Sequence, residues 1–564
     1  MAMSFWINQL QFTAGVSIDL KKDSIVVFVG PNNSGKSRVL REIDQKIKSP
    51  AAGNAVIIAE AHVSVEGSEE EFLQSIQSRR SGNNYRFYRN DNTSIDQNLL
   101  RSSWRNLVDK KSTGAHSVGE FLASSITTAS RLNLVDPVEN IDAFSQLSKH
   151  PIHELKHFKE KEDFFSRYFK LAFGEEVVVN HGYGTKIALH VGTRPEVTAE
   201  NDRVSLEYQK SLRKLPFLHA QGDGMKSFAG VFLNLFVQDF MVNIIDEPEA
   251  FLHPPQAGLL GQMISQSLSK EKQVFVATHS EHFLKGLLDG AADRLIIVRI
   301  ERDDTVNHIK VLENSKILSV WNDTLLRHSN VLDGLFHKKV VVAESDSDCR
   351  FFNAICGAIV EREVLQSPDI LFVASGGKER FPTIIKALKA LEVPMTIIGD
   401  FDLYHNENPL KKIYEELEGN WNDIKNDFFK VKKVIDEKLP ELKSADLKRE
   451  IDNIFKSFDE SVIPDYKISE IQTALKKASP WRQAKDSGKA YLPAGEAILA
   501  FNRVQVKLEE KGVVILESGE IESFDPTIGG HGPKWVNEVL KKDIYSSPDL
   551  DNAKRFAKEK ILKL

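Results

Sequence analysis

Apolar positions in this chain come in short unbroken runs, each followed by an amphipathic stretch, and that alternation predicts an α/β protein. The first run, Ile25–Val29, is apolar throughout and mostly β-branched, the signature of a strand buried on both faces. Val39, Leu40, Ile43 and Ile47 then recur at helical spacing. Further strands are predicted at 241–245 and 273–277, and in the second half at 339–343, 370–374, 395–398 and 513–516, with a helix over 381–391. Alternating β and α elements imply parallel sheets, which bind ligands beyond the C-terminal ends of their strands.

Two stretches break the alternation. Residues 66–214 are polar and mixed in pattern and read as an inserted α+β region, in which 177–179 and 187–191 form a hairpin around His181, Gly182, Tyr183 and Gly184. Residues 406–510 read as a helical insertion. There Ile413, Leu417, Trp421, Ile424, Phe428, Val431 and Ile435 alternate by four and three until Pro440, a stripe that either packs on its own domain or offers a dimer or partner surface. The expected domains are 1–330 and 331–564. The run 228–245 approaches the length of a membrane span, but Asn234, Gln238, Asp239 and Asn243 are costly in lipid, so it reads as a buried helix entering a buried strand. No membrane association is expected.

The predicted strand ends carry the candidate chemistry. Gly30-Pro31-Asn32-Asn33-Ser34-Gly35-Lys36-Ser37 follows the first strand and opens the first helix, and it fits the phosphate-loop pattern G-x-x-x-x-G-K-[ST]. Gly30 and Gly35 let backbone N–H groups, including those of Asn32, Asn33 and Ser34, close round the phosphates of ATP. Lys36 would reach the β and γ phosphates, and Ser37 would hold Mg²⁺. The strand at 241–245 ends in Asp246-Glu247, where Asp246 would complete the Mg²⁺ shell and Glu247 would polarise the attacking water. The strand at 273–277 ends in Thr278-His279-Ser280, and His279 is either a sensor of the γ-phosphate or a structural histidine.

In the second half the strand ends are acidic. Glu344 and Asp348 follow the first strand, Ser375-Gly376-Gly377-Lys378 the second, and Asp400 and Asp402 the third. Converging carboxylates of this density suit hard divalent cations, Mg²⁺ or Mn²⁺, and two such ions flanking a phosphodiester activate water and stabilise the leaving oxygen. Glu520, Glu522 and Gly529-Gly530-His531-Gly532-Pro533-Lys534 follow the fourth strand.

Composition narrows the setting. At 564 residues with 41% apolar and 27% charged side chains, the chain has the make-up of a soluble multidomain protein. Its formal net charge of −6 means that any contact with DNA comes from a local patch. Residues 79–89 interleave arginines with aromatics, which can neutralise phosphates and stack bases or form a solvated loop. Two cysteines, Cys349 and Cys356, exclude a disulfide framework and a four-cysteine zinc site. With no basic stretch and apolar core over 1–10, the expected location is cytoplasmic.

The order Gly30–Ser37, Asp246-Glu247-Pro248-Glu249, Thr278-His279-Ser280 resembles the soluble branch of the ABC ATPase superfamily, with the SMC and DNA-repair ATPases. The resemblance implies a head-to-head homodimer, or a higher homo-oligomer, with ATP between phosphate loop and partner signature motif. The signature Leu-Ser-Gly-Gly-Gln is absent; Gly222 and Gly224 occupy the corresponding position. The family's Q-loop is sought in 127–131. Glu344, Asp400 and Asp402 resemble the metal-binding signature of TOPRIM domains. An ABC ATPase joined to TOPRIM is similar to the OLD (overcoming lysogenization defect) family, which includes Gabija-like and retron-associated anti-phage effectors. That resemblance implies a metal-dependent DNA endonuclease. Glu520 or Glu522 would match its late acid and Lys534 its lysine, and a reverse transcriptase with its small DNA, or a helicase, would be a defence partner. The alternative is an SMC-like ATPase that clamps DNA and carries a non-catalytic TOPRIM domain.

Overall fold

The computed structural model describes residues 3–49, 55–76, 78–81, 84–88, 94–109, 114–142, 148, 150–182, 184–198, 202–290, 293–327, 329–438, 444–458, 462–477 and 480–563. The chain divides into two compact units, Met1–Asp323 and Thr324–Leu564.

The first unit is organised on a six-stranded sheet. Its strands are β1 (Ile25–Val29), β2 (Ala123–Ile126), β3 (Val242–Asp246), β4 (Gln273–Ala277), β5 (Leu295–Asp303) and β6 (Val306–Leu312). They lie in the order β6-β5-β1-β4-β3-β2, all parallel except β6, which returns antiparallel along β5. Every residue of β1 and β4 is buried, so neither strand shows alternation. Phe28 stands beside Ala277, and Ala277 beside Asp246, so β1, β4 and β3 end level with one another. Helix α1 (Lys36–Lys48) buries Val39, Leu40, Ile43 and Ile47, and these join a core with Phe5, Ile7 and Leu10. Those three residues come from Ser4–Phe12, which pairs antiparallel with Ser17–Asp19 and Ile58–Glu66.

Strand β2 was not expected in this sheet. It lies inside 66–214, so that region is not one separable insertion. Ala-Ser-Ser-Ile lacks the apolar run that marks β1 or β4, and β3 supplies its pairing partner. The expected hairpin is also divided. Val177–Val179 pairs with Leu189–Val191, whereas Lys186–Ile187 pairs with Val138–Glu139. The arginine and aromatic stretch falls in an antiparallel sheet of Ser78–Ser81, Asn84–Tyr88 and Ser94–Asp96. Within it Phe87 is buried and Arg86 is exposed, its Nε donating to Ser94 Oγ; Gly82, Asn83 and Arg89 lie outside the described residues. The run 228–245 is a helix, α2 (Asp223–Phe232), continued by a π-helical turn and then β3. Its two asparagines are buried and satisfied inside: Ser124 Oγ donates to Asn234 Oδ1 (2.7 Å), and Asn243 Nδ2 donates to the Phe240 carbonyl (3.1 Å), whereas Asp239 is exposed. Among the described residues no helix is long and apolar enough to cross a membrane.

The second unit holds four parallel strands, β7 (Lys339–Ala343), β8 (Ile370–Ala374), β9 (Met395–Gly399) and β10 (Val513–Ile515), in the order β8-β7-β9-β10. Helix α3 (Asp346–Arg362) follows β7. Its Phe351 and Phe352 pack in a core with Trp535 and Phe524. Between β9 and β10 run α4 (Lys425–Asp436), α5 (Pro480–Ser487) and α6 (Glu496–Glu510). The stripe from Ile413 to Ile435 is not one continuous helix. The first helix ends at Glu416, and Glu418 then takes a left-handed conformation (φ 62°). Ile413, Trp421, Ile424, Phe428, Val431 and Ile435 are all buried. Phe428 stacks on Tyr404 with ring centres 5.8 Å apart, and Tyr404 meets Phe501 of α6. The stripe therefore serves its own unit. Phe428→Ala should lower stability by about 3–5 kcal/mol in a urea melt while leaving the elution volume on size exclusion unchanged.

Candidate functional sites

The first site forms where β1, β3 and β4 end together. Gly30 has φ 142°, and a Cβ there would lie 2.1 Å from the Ile300 carbonyl oxygen, so only glycine fits. The loop then turns through left-handed Asn33 and Gly35, and Gly35 caps α1. Lys36 is 4% exposed, with Nζ donating to the carbonyls of Gly30 and Pro31 at 2.8 Å each. Ser34 is buried, whereas Asn32 and Asn33 are exposed. Ser37 Oγ donates to Asp246 Oδ1 at 3.0 Å, so the two expected metal ligands of this site already touch. Burial raises the Asp246 pKa, the Ser37 bond opposes that, and the Glu247 charge adds to it.

Beyond Asp246 the chain bends sharply. Glu247 adopts φ 47°, and its N–H donates to the Ala277 carbonyl. Its Oε1 lies 3.6 Å from His279 Nε2, which joins the expected base to the expected sensor. Glu249 Oε1 accepts from Thr278 Oγ1 (2.7 Å) and from the His279 N–H (2.9 Å). Burial raises the Glu249 pKa from its ordinary value, opposed by the bonds from Thr278 and the His279 N–H.

Arg131 had no candidate role in the sequence. It is fully buried, and its guanidinium donates to Ser227 Oγ (2.8 Å), the Asp246 carbonyl (2.8 Å) and the Glu247 carbonyl (2.6 Å). It leaves the end of β2 on the short helix Thr128–Leu132, which Thr127 caps. Ser227 belongs to α2, which Gly222 caps, and a Cβ on Gly224 would lie 2.7 Å from the Phe251 carbonyl oxygen. The segment 127–131, the candidate Q-loop region, thus supplies an arginine that braces the acidic turn. Burial pulls its pKa down to about 10, against the charges of Glu249, Glu247 and Asp246.

The second site forms at the ends of β7 and β9. Gly376 and Gly377, in positive-φ conformations, donate N–H bonds to the Glu344 carbonyl at 3.0 Å each, drawing the loop after β8 over the end of β7. Asp400 and Asp402 follow β9, and the Phe401 N–H donates to the Gly519 carbonyl at 2.8 Å, tying this turn to the loop after β10. Glu344, Asp400 and Asp402 each bring an oxygen within 4.8 Å of the others. Glu344 Oε2 and Asp402 Oδ1 are buried without a hydrogen-bond partner. Asp348 is buried nearby, but its Oδ2 accepts the Ser345 N–H (2.7 Å) in the capping box of α3. Burial is the leading cause that raises the pKa of Glu344, Asp348, Asp400 and Glu520.

A second cluster adjoins the first. Glu520, Glu522 and His531 offer ligand atoms within 4.8 Å of one another. The Gly532 N–H donates to Glu522 Oε1 (2.7 Å), and His531 Nδ1 lies 3.4 Å from Glu520 Oε1 and 3.6 Å from Glu522 Oε1. Hard oxygen donors converging from three loops, two of their oxygens orphaned, fit Mg²⁺ or Mn²⁺. Lys534 sits on an exposed helix start and makes no ion pair among the described residues.

Other basic residues reach the carboxylates instead. Lys378 Nζ is 3.0 Å from Asp402 Oδ2. Lys485 Nζ is 2.8 Å from Asp400 Oδ2, 3.6 Å from Glu520 Oε2 and 3.8 Å from Asp402 Oδ2. Burial alone would lower the Lys485 pKa, but Asp400, Asp402 and Glu344 together raise it. Asp400 shares that one ammonium with its neighbours, so for Asp400 burial prevails. Arg482 Nη2 donates to His531 Nε2 (3.0 Å) and Glu520 Oε1 (3.4 Å), which leaves the imidazole proton on Nδ1, facing the glutamates. Neither Arg482 nor Lys485 had a sequence signal, because α5 lies in a polar helical region whose motif partners are distant in the chain.

Residues 25–285 match the AAA domain family whose description adds the AbiEii toxin of a type IV TA system. Residues 335–402 match the overcoming lysogenization defect protein-like TOPRIM domain. An OLD nuclease of Thermus scotoductus is 26% identical over 170 residues, covering 28% of this chain and 31% of that protein. The chain therefore spans about a third of the length of the curated relative it matches. Among solved structures, the SMC head domain from Thermotoga maritima is 15% identical and covers 54% of this chain and 99% of its own, with a TM-score of 0.27. The Smc head domain of Pyrococcus furiosus, with an extended coiled coil and bound to the C-terminal domain of ScpA, is 13% identical with corresponding shares of 57% and 99% and a TM-score of 0.31.

The raised Asp400 pKa has a measurable sign. The folded state holds a proton that the unfolded state releases, so in metal-free protein stability falls as pH climbs from the ordinary carboxylate value through the raised one. In EDTA, the melting advantage of Asp400→Asn over wild type should grow as pH rises above the ordinary carboxylate range, and it should close toward about pH 4.

Proposed function

We propose that this chain, which matches an AAA ATPase domain and then an OLD-like TOPRIM domain, acts as an OLD-type nuclease: an ATP-hydrolysing, Mg²⁺- or Mn²⁺-dependent DNA endonuclease. One observation carries the nuclease half: Glu344, Asp400 and Asp402 converge within 4.8 Å from the ends of adjacent parallel strands, with two buried oxygens unpartnered.

At the first site Lys36 exchanges its loop carbonyls for the β and γ phosphates of ATP, and the loop N–H groups take the remaining phosphate oxygens. Ser37 and Asp246 are the metal ligands. Glu247 orients the attacking water and accepts its proton, and His279, within 3.6 Å of Glu247, reports the γ-phosphate. Gly222 and Gly224, at the start of α2, are offered to the nucleotide of a second copy, which makes the working unit a homodimer or a higher homo-oligomer.

At the second site Glu344, Asp348, Asp400, Asp402 and Glu520 hold the ions, with Glu522 beside them. Bound Mg²⁺ or Mn²⁺ supplies an activated water and neutralises the charge of the departing oxygen. Lys534, exposed and unpaired among the described residues, meets the scissile phosphate of DNA. As its cellular task we propose defence against phage.

Purified protein should nick or cut supercoiled plasmid in Mg²⁺ or Mn²⁺, and Glu344→Ala should reduce cutting by about a hundredfold or more. The same substitution should abolish any protection seen in phage plating. Cutting that persists in Glu344→Ala would overturn the assignment, and DNA-stimulated ATP hydrolysis without cutting would favour a DNA clamp. In a phosphate-release assay Lys36→Ala should lose ATP binding, whereas Glu247→Gln should bind ATP and hydrolyse it about 10²–10⁴ times more slowly.

A further inference from the structure

Helix α5 is placed against the carboxylate site by backbone contact, not by side-chain reach alone. A Cβ on Gly519 would lie 2.0 Å from the Lys485 carbonyl oxygen, and one on Gly488 would lie 2.1 Å from the Glu517 carbonyl oxygen. Both glycines have positive φ (112° and 56°), so the end of α5 and the loop bearing Glu520 meet at a distance only glycine permits. The Lys489 N–H donates to the Glu517 carbonyl (2.8 Å), and Ser523 Oγ donates to the Asp486 carbonyl (2.8 Å). At the other end Trp481 is 8% exposed, stacks on His405 with ring centres 4.8 Å apart, and donates Nε1–H to Asp436 Oδ1 at 2.7 Å. His405 stands just beyond Asp402 in the chain.

On a helix fixed in this way, Arg482 and Lys485 are one turn apart and face the same site. They are divided between the two clusters. Lys485 contacts Asp400 and Asp402 of the first and Glu520 at the boundary; Arg482 contacts Glu520 and His531 of the second. We propose that α5 is an internal plug, with one basic side chain lodged in each of two cation seats, and that it must withdraw before both seats fill with metal. An ion held by Asp400, Asp402 and Glu520 takes the oxygens that Lys485 now holds. Two positive groups sharing those oxygens repel in a partly desolvated pocket, so ammonium and metal exclude one another. The helical region between β9 and β10 then acts as a restraint on the site: whatever loosens the Trp481 anchor raises metal affinity and with it the capacity to cut.

This inference rests on the reading of the carboxylate clusters as metal seats. Its test is Mn²⁺ titration of full-length, nucleotide-free protein, with free Mn²⁺ read by its electron paramagnetic resonance signal. Arg482→Met combined with Lys485→Met should bind Mn²⁺ about tenfold more tightly than wild type. Trp481→Ala, which leaves both basic residues in place, should also bind more tightly. The gain should vanish when Asp400→Asn is added. Unchanged or weaker binding in the Arg482→Met, Lys485→Met protein would overturn the plug while wild-type binding that depends on Asp400 leaves the metal seats standing. Absence of Asp400-dependent Mn²⁺ binding in every form would overturn the seats and the plug together.

Discussion

Carboxylates gathered at the ends of parallel strands repel one another, and each loses hydration as it is buried. Both sites in this chain are arranged around that cost. In the first unit Asp246, Glu247 and Glu249 crowd into one turn, and Arg131 lies behind it, bonded to the carbonyls of the first two. In the second unit Glu344, Asp400, Asp402 and Glu520 are met by Lys378, Lys485 and Arg482. Removing one cation from such a group leaves buried negative charge uncompensated, which is the expensive state. A divalent ion answers the same need with greater charge density. The arrangement is therefore stable as it stands, and a metal ion and the basic side chains compete for the same oxygens.

The second common element is backbone proximity. Gly30 lies against Ile300, and Gly519 lies against Lys485, each so closely that any Cβ would collide with a carbonyl. In the first case the phosphate loop is pressed onto β5 and cannot drift. In the second, two segments far apart in the chain are registered to each other, which fixes the side chains they carry more tightly than packing of long flexible residues would.

Much of this was legible in the sequence where chemistry and local pattern coincide. Residues 30–37 carry their loop geometry in their glycines, and the acids at 246, 344, 400 and 402 follow apolar runs that read as buried strands. The rest depended on tertiary neighbours. Strand β2 contains two serines and pairs only because β3 is beside it. Arg131 follows a polar segment with no motif, and its partners are Ser227 and the turn at 246–247. Arg482 and Lys485 occupy a helix whose polar face looks like any solvated one until Asp400, Glu520 and His531 are folded against it. Local periodicity reports which face of a helix is apolar, but not what a charged side chain will meet.

The strand order also sets a timetable for the newly made protein. Strand β9 ends at Gly399, and its neighbour β10 pairs with it only through Val513–Ile515, after the whole helical region has been synthesised. Strand β1 likewise waits for β4, its direct partner at 273–277. Contacts of such long sequence separation form late, because loop closure must precede them. On the ribosome the chain thus carries its phosphate loop and its Asp400–Asp402 pair long before either has its complement, and the acid at 520 follows only after the whole helical region. Assembly from distant segments keeps an emerging polypeptide inert: a truncated or nascent copy has the motifs without the sites.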